Sequence, residues 1–422
     1  MHKRRYSLTL TVCVLTLLVA MAAGMRRATA APAPQAKTPI KVGVLTPLTG
    51  PLAPMARDIV DGARLYVDEV NGEMVGRTVE LIVEDYEFKA AVALTKTKKL
   101  VERDHVHVVV GVILSAAALA MKDYIHAQQV PLIISGYAVV EPLMMEKPSP
   151  YVFRTTFGAS QVPTPLAHYV YDKLHARTAA VIGADTVGAI ELVMAFARAL
   201  EAAGGKVVQE LYPPIGTTDF GPFIARIRRD VDVVATLMGG ADGIRFIKQY
   251  EEFGLKGKIP VVDTAPGITD VPVLPSSGPS ALGMYVSQAY VYTIDTPRNR
   301  QFVQAFRAKF GRDPGGSAEH TYVALAAIHQ ALKATGGNLE EKPKFLEALR
   351  QMDMEAPRGH IRFDRYQNVI TDVTITRIEK VGDQIVPVVV ETIREVDQFL
   401  GMPPDEYLKK PRLVTLKGTF GK

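Results

Sequence analysis

The 422-residue chain has no tryptophan and a single cysteine, Cys13. One thiol excludes a disulfide framework and any zinc or iron–sulfur centre built on cysteine ligands. Basic charge is also missing where a nucleic-acid binder would need it. The formal +5 is carried by Lys3, Arg4, Arg5, Arg26 and Arg27 of the first thirty residues, which hold no acid, and the remainder balances on paper. Without a basic face, nucleic acid is set aside as a partner. Catalytic signatures are absent too. There is no G-x-S-x-G elbow, no G-x-x-x-x-G-K-[ST] loop, no G-x-G-x-x-G behind a strand and no H-E-x-x-H. Eight of the nine histidines lie scattered beyond residue 30, with His320 and His329 too far apart for a helical ligand pair. They read as solvated or core residues. The adjacent acids Glu84 and Asp85, and Glu251 and Glu252, read as strand-end and helix-surface charges. No catalytic residue, metal ligand or cofactor is assigned.

What the chain does have begins at its start. MHKRR is followed by a mostly apolar stretch over 6–24 and by ATA at 28–30. A positive start, an apolar middle and a small-residue end make a secretory signal peptide, cleaved near Ala30. The rival reading is a retained anchor, against which count the Thr and Ser within the run. No cysteine follows the run, which argues against a lipoprotein, and Cys13 leaves with the signal. Arg4 and Arg5 hint at twin-arginine export, but the residues after them fit general secretion better. Residues 31–39 (APAPQAKTP) form an extended leader. Beyond it no apolar run reaches about 18 residues, so the exported chain is expected to be soluble.

From Ile40 the pattern alternates. Short β-branched strands are expected at 40–45, 79–84, 106–110, 131–134 and 151–154, with helices ending at 70 and spanning 90–103 and 116–128. The alternation then repeats, with strands at 178–182, 206–211, 231–237 and 259–262 and helices at 188–203, 220–229 and 242–253. Continuous apolar strands alternating with helices mean a parallel sheet covered on both faces. Two such runs imply two doubly wound α/β lobes. Beyond 282 the pattern changes to three helices (302–310, 322–334, 339–352) and alternating strands at 359–364, 372–380 and 384–392. The Lys- and Pro-rich tail past 403 is expected on the surface.

Open α/β sheets bind ligands at the carboxyl ends of their strands, where helix N-termini offer free N–H groups. In the first lobe these places hold Leu48, then Leu114, Ser115 and Ala116, then Gly136, Tyr137, Ala138 and Val139. In the second they hold Val187, Gly239, Gly240 and Asp263. Ser115 either caps the helix that follows or bonds a ligand carboxylate. Tyr137 either stacks on a ligand or covers the sheet edge. Gly239 and Gly240 either allow a close backbone approach or make a tight turn. Asp242 reads as a helix cap.

The ordered set of these pieces resembles the periplasmic solute-binding proteins of branched-chain amino acid ABC transporters. It comprises IKVGVLTPLTGP at 40–51, a first helix ending in Asn71 and Gly72, KKLV at 98–101, VVG with Ser115, and VPLIIS at 130–135. FRT at 153–155, FRAKFG at 306–311 with Pro314, the helix 322–332, PRG at 357–359 and RFD at 362–364 complete it. The resemblance implies the type 1 periplasmic-binding fold, with three hinge crossings near 155–159, 286–290 and 356–360. Lobe 1 would be 40–156 plus 289–356, and lobe 2 would be 157–288 plus 357–422. It implies a monomer in the periplasm that closes on a small ligand and presents it to an ABC permease. A sensor on the same fold, presenting its ligand state to a membrane receptor, is the alternative. Ser115 matches a family serine that holds the ligand carboxylate. The family's ammonium-binding threonine falls on Val139, a family tyrosine on Val187, and the ammonium-pairing acid near Ala265, with Asp263 the acid at hand. An unpaired buried ammonium is costly. The ligands weighed are therefore a branched-chain amino acid and, at least equally, a small aliphatic or aromatic carboxylate or amide without an α-amino group.

Overall fold

The computed structural model describes residues 38–421; the signal reading and most of the leader lie outside them. Among the described residues no helix is long and apolar enough to cross a membrane. Two sheets organise the chain. The first contains β1 (Ile40–Thr46), β2 (Glu73–Met74), β3 (Arg77–Asp85), β4 (Val108–Gly111), β5 (Leu132–Ile134) and β6 (Val152–Arg154), in the order β2-β3-β1-β4-β5-β6. All its pairings are parallel except that of the short β2 with β3. The central β1 is buried along nearly its whole length. That burial is why its sequence is continuously apolar rather than alternating. The helices α1 (Ala53–Glu69), α2 (Ala90–Glu102), α3 (Ser115–Gln128) and α4 (Glu141–Met145) run between these strands.

The second sheet has nine strands. Its parallel part is β7 (Thr178–Gly183), β8 (Lys206–Leu211), β9 (Val233–Leu237), β10 (Val261–Asp263) and β11 (Tyr285–Gln288). Here α5 (Pro163–Asp172), α6 (Val187–Ala202), α7 (Gly221–Arg226), α8 (Gly240–Glu252) and α9 (Leu274–Ser277) intervene. The chain then returns through α10 (Pro297–Phe310), α11 (Gly316–Ala334) and α12 (Lys342–Arg350), whose apolar faces share a core with β1 and α1. It re-enters the second sheet as β12 (Asp353–Ala356), β13 (Gly359–Phe363), β14 (Val369–Val381) and β15 (Gln384–Val396), all antiparallel. Each sheet is covered on both faces, which gives four principal apolar cores.

Buried polar side chains pin the places where the chain passes between lobes. Arg154 at the end of β6 is fully buried. Its Nε donates to Asn368 Oδ1 at 2.5 Å and its Nη1 to the Val139 carbonyl at 2.7 Å. Arg154 and Asn368 also form the isolated bridge that links the edge of the first sheet to the segment entering β14. Arg358, between β12 and β13, pairs with Glu319 of α11 at 3.2 Å, and its Nη2 donates to the Thr155 carbonyl.

Among the departures from the sequence reading are one helix and the tail. Helix 163–172 follows a loop in which no helix was expected. Pro163 opens it at the first helical position, where its fixed φ fits and its missing N–H leaves no bond unmade. The tail past 403 is not purely a surface segment. Tyr407 and Leu413 are buried, the latter in the core of α5 and α6, and Tyr407 Oη donates to Ser160 Oγ at 2.7 Å. Lys409, Lys410, Pro411 and Lys417 are exposed, so composition described the outside of the tail and missed Tyr407 and Leu413.

Candidate functional site

The carboxyl ends of both sheets' parallel strands face each other across a cavity of about 730 Å³, open solvent at its mouth included. That size suits a small organic molecule. From the first sheet come Leu52 and Met55 at the start of α1, Phe88 behind β3, Ile113, Leu114 and Ser115 behind β4, and Tyr137 and Val139 behind β5. From the second come the start of α6 (Thr186, Gly188, Ala189, Leu192), Ile215 behind β8, Gly239 and Asp242 around the start of α8, and 265–267 behind β10.

Of the residues expected at the site, Leu114, Ser115, Tyr137, Val139 and Gly239 line this cavity. The others support it from behind. Leu48 packs on the core of α1 and α11, and Ala138 is buried in the core under α3. Ala116 occupies the first turn of α3. A side chain at Gly136 would lie 2.6 Å from the Val112 carbonyl, so the two loops are stacked tightly. Val187 begins α6 and packs against the first lobe's core. Asp263 commits its Oδ2 to its own loop, while its buried Oδ1 has no hydrogen-bond partner among the described residues. Its Oδ2 accepts from Gly267 N at 3.0 Å, Thr269 N at 3.1 Å and Thr269 Oγ1 at 2.9 Å. That loop presents Ala265, Pro266 and Gly267 to the cavity. Burial pushes the Asp263 carboxyl up to about 7.

Three local readings resolve. Ser115 is not the cap of α3, because Leu114 holds that position. The Ser115 hydroxyl accepts from Val139 N at 3.1 Å, tying two cavity loops together and leaving its own proton to donate. The close approach at Gly239 and Gly240 is to the protein itself. Gly240 has φ +56, and a Cβ there would sit 2.0 Å from the Pro51 carbonyl oxygen, to which Ala241 N donates. A Cβ at Gly188 would likewise meet Ser115 Oγ at 2.9 Å. The lobes therefore touch on either side of the cavity. Asp242 is not the cap of α8 either, since Gly239 holds that position; it lines the wall from the first turn.

Charge in the lining is sparse. Asp242 is its one charged side chain, and both its oxygens are engaged, by Gly216 N at 2.7 Å and Arg245 Nη1 at 3.1 Å. Burial raises its carboxyl above the usual range. Among the described residues no lysine, arginine or histidine lines the cavity. Positive potential comes instead from the starts of α3 and α6. The N–H groups of Ser115, Ala116, Val187 and Gly188 lie in first turns, before any helical acceptor is available. Thr186 caps α6 by accepting from Ala189 N at 3.4 Å. Tyr137 spends its phenol on Asp270 Oδ2 at 3.1 Å and shows its ring to the cavity, 5.9 Å from that of Phe157. Among the described residues no group of three or more His, Cys, Asp or Glu could hold a metal ion.

Leu52, Met55, Phe88, Phe157, Leu192 and Ile215 were not anticipated. The strand-end rule, applied to β3, β6 and β8 as it was to the other strands, points to Phe88, Phe157 and Ile215. Leu52 and Met55 lie in a stretch read as a loop because of Pro54, which in fact opens α1.

Comparison with known proteins gives the same picture. The family model described as periplasmic binding protein matches residues 39–383. The chain is 30% identical over 351 residues to Leu/Ile/Val-binding protein homolog 6 of Brucella melitensis, covering 82% of this chain and 88% of that one. An ABC transporter substrate-binding protein from Sphaerobacter thermophilus superposes with a TM-score of 0.80 at 36% identity, covering 85% of this chain and 99% of that one. A solute-binding protein of an ABC transporter from Rhodopseudomonas palustris BisB5, solved with 3,4-dihydroxybenzoic acid, has the same TM-score at 27% identity over 85% and 98% of the chains. With its two facing parallel sheets and the cavity between their strand ends, this chain belongs to the periplasmic binding protein family, in the type 1 fold of the Leu/Ile/Val-binding proteins.

Proposed function

We propose that the protein is the extracytoplasmic solute-binding component of an ABC importer. It captures a small, largely apolar carboxylate or amide by closing its two lobes, residues 40–156 plus 289–356 and 157–288 plus 357–422. It is exported by a signal peptide cleaved near Ala30, works as a periplasmic monomer and delivers its ligand to a membrane permease unchanged. One observation carries the ligand class: the cavity wall is apolar, its one acid is already engaged, and its unpaired donors sit at two helix starts. Backbone N–H groups at a helix start, with the Ser115 hydroxyl, suit a carboxylate or amide oxygen. An α-ammonium would find no free carboxylate, and its burial would cost several kcal/mol. The relative solved with a dihydroxybenzoic acid supports an aromatic acid, with Tyr137 and Phe157 as the rings against it.

A thermal-shift screen tests this reading. The panel is leucine, isoleucine, valine, benzoate, the hydroxybenzoates, short aliphatic monocarboxylates and their amides. At a hundredfold excess over its dissociation constant a ligand stabilises the native state by about 3 kcal/mol. An acid or amide without an amino group should raise the midpoint and be recovered intact by mass spectrometry. A rise with leucine, isoleucine or valine alone would show that Val139 and Ala265 have been misread.

A further inference from the structure

The seam between the lobes seals a second group of residues beside the cavity. Asp270, in the loop behind β10, reaches into the first lobe. There Tyr137 Oη donates to its Oδ2 at 3.1 Å. Asp58 of α1 stands beside it. A Cβ on Gly315, just before α11, would lie 2.3 Å from Asp58 Oδ2 and 3.2 Å from Asp270 Oδ1, with Pro272 closing the remaining side. Both carboxyls are out of water, Asp58 at 0% exposure and Asp270 at 2%.

Cations do not balance these acids. Arg312 pairs with Asp58 and with Asp61 of the same helix, and Gly315 N donates to Asp58 Oδ2 at 2.8 Å. Asp270 has the Tyr137 phenol and Val271 N at 2.9 Å, but no cation. The other titratable groups around it do not help. Asp263 of the same loop is a further acid that adds to the repulsion. His320 of α11, its ring 6.0 Å from that of Tyr137, is held neutral by burial. The one guanidinium here is spent on Asp58 and Asp61.

We propose that Asp270 is carried across the seam as a neutral acid beside Asp58, so that closing the lobes takes up one proton from solvent. The inference rests on the closure reading above. The proton adds to Asp270 Oδ1, the oxygen beside Gly315, while Oδ2 keeps the Tyr137 hydrogen bond. At neutral pH Asp58 is the ionised member, held by Arg312 and Gly315, although burial pushes its own carboxyl up to about 6. Geometry sets the direction: two carboxylates brought together out of water cannot both stay charged. Burial first, and the Asp58 charge second, push the Asp270 carboxyl up to about 8 when the seam is sealed. On an open, hydrated loop an aspartate titrates near 4. The closed form therefore gains its full proton-linked advantage below about pH 4 and loses it as pH rises through 8. Between those limits the closing equilibrium should change close to tenfold per pH unit. The capture step would become a pH-dependent one, firmer in an acidified compartment.

Small-angle scattering of the ligand-free protein between pH 5 and 9, with infrared difference spectra of the carboxylic-acid carbonyl band, tests the coupling. Wild type should become more compact as pH falls, and should show at pH 7 a protonated-acid band that Asp270→Asn lacks. Asp270→Asn should stay equally compact at pH 9 and at pH 6. Tyr137→Phe, which removes the donor to the carboxylate, should keep the transition and move its midpoint upward. If wild type and Asp270→Asn open and close with the same pH profile, the hinge stands and the coupling is overturned. A scattering curve that never changes, with the band still present, overturns the hinge reading and the coupling with it. Absence of the band in wild type overturns the neutral acid directly.

Discussion

The lobes are joined behind the cavity and meet again in front of it, and the two regions use different chemistry. Behind, at the crossings, charged and amide side chains are buried and bonded in several directions. Arg154 reaches Asn368 and Val139, and Arg358 reaches Glu319 and Thr155. Gln161 Nε2 donates to the carbonyls of Val369 and Val396 at 3.0 and 2.9 Å. In front, the lobes meet around the cavity through backbone and small residues, Gly240 against Pro51 and Gly188 against Ser115, with the Tyr137–Asp270 hydrogen bond as the polar exception beside them. If the lobes close as proposed, a region that must keep its geometry throughout the motion is served by buried charged and amide networks, which are costly to break. A region that must part and re-form is served by contacts that water can replace at little cost.

The largest effect should come from breaking the rear network. Arg154→Leu removes a fully buried guanidinium, leaves Asn368 Oδ1 without its donor and takes one donor from the Val139 and Val140 carbonyls, the former keeping Ala159 N. Removing one member of a buried charged network costs about 3–5 kcal/mol. Chemical denaturation should show that loss whether or not ligand is present. If the variant keeps wild-type stability, the rear of the molecule is no more rigid than the front.

Gly240→Ala comes next, and should act on the front alone. Its Cβ would collide with the Pro51 carbonyl oxygen, and φ +56 is unfavourable for alanine. With the lobes apart the collision disappears and only the backbone strain remains, about 1 kcal/mol. Ligand affinity should therefore fall at least tenfold while unliganded stability falls little. Equal losses in both would mean that the Pro51 contact is as permanent as the crossings. A smaller loss is expected for Ser115→Ala. It strips the acceptor from Val139 N and the donor from the cavity wall. A buried N–H left unpaired costs about 1–3 kcal/mol, and affinity should drop roughly tenfold, measured by calorimetry.

The two regions also differ in how far the sequence alone reveals them. The rear carries motif-like pieces, FRT at 153–155 and PRG at 357–359, whose arginines are the residues buried at the crossings. The parallel strands were legible because both their faces are covered, so they read as unbroken apolar runs. Helix starts were not. The helix beginning at Gly316 was expected only from 322, because Gly316, Glu319 and His320 interrupt the apolar pattern with groups buried for other reasons. Pro54 read as a break and turned out to be a first-turn residue, as is Pro163, which opens a helix that was not expected. The front is built from such starts, so Leu52 and Met55 went unseen with the first of them. The partner of Gly240 was out of reach altogether, because Pro51 meets it through the folded arrangement of two lobes and no local pattern records that.

The finest probe of the front is Ile215→Ala. Ile215 lines the cavity from the loop behind β8 yet remains 39% exposed. That loop is held by Gly216 N donating to Asp242, so the side chain can be cut back without releasing the backbone. A half-exposed isoleucine that a ligand covers adds only part of its full burial energy, about 0.5–1 kcal/mol. Affinity should fall roughly two- to fivefold, and the unliganded melting temperature should hardly move, since no core is opened. The variant also separates two ways of closing the mouth. If the side chain itself is the cover, ligand should dissociate faster while its association rate stays unchanged. If the Asp242 tether does the covering, Ile215→Ala should be silent and Asp242→Asn should carry the effect on dissociation instead.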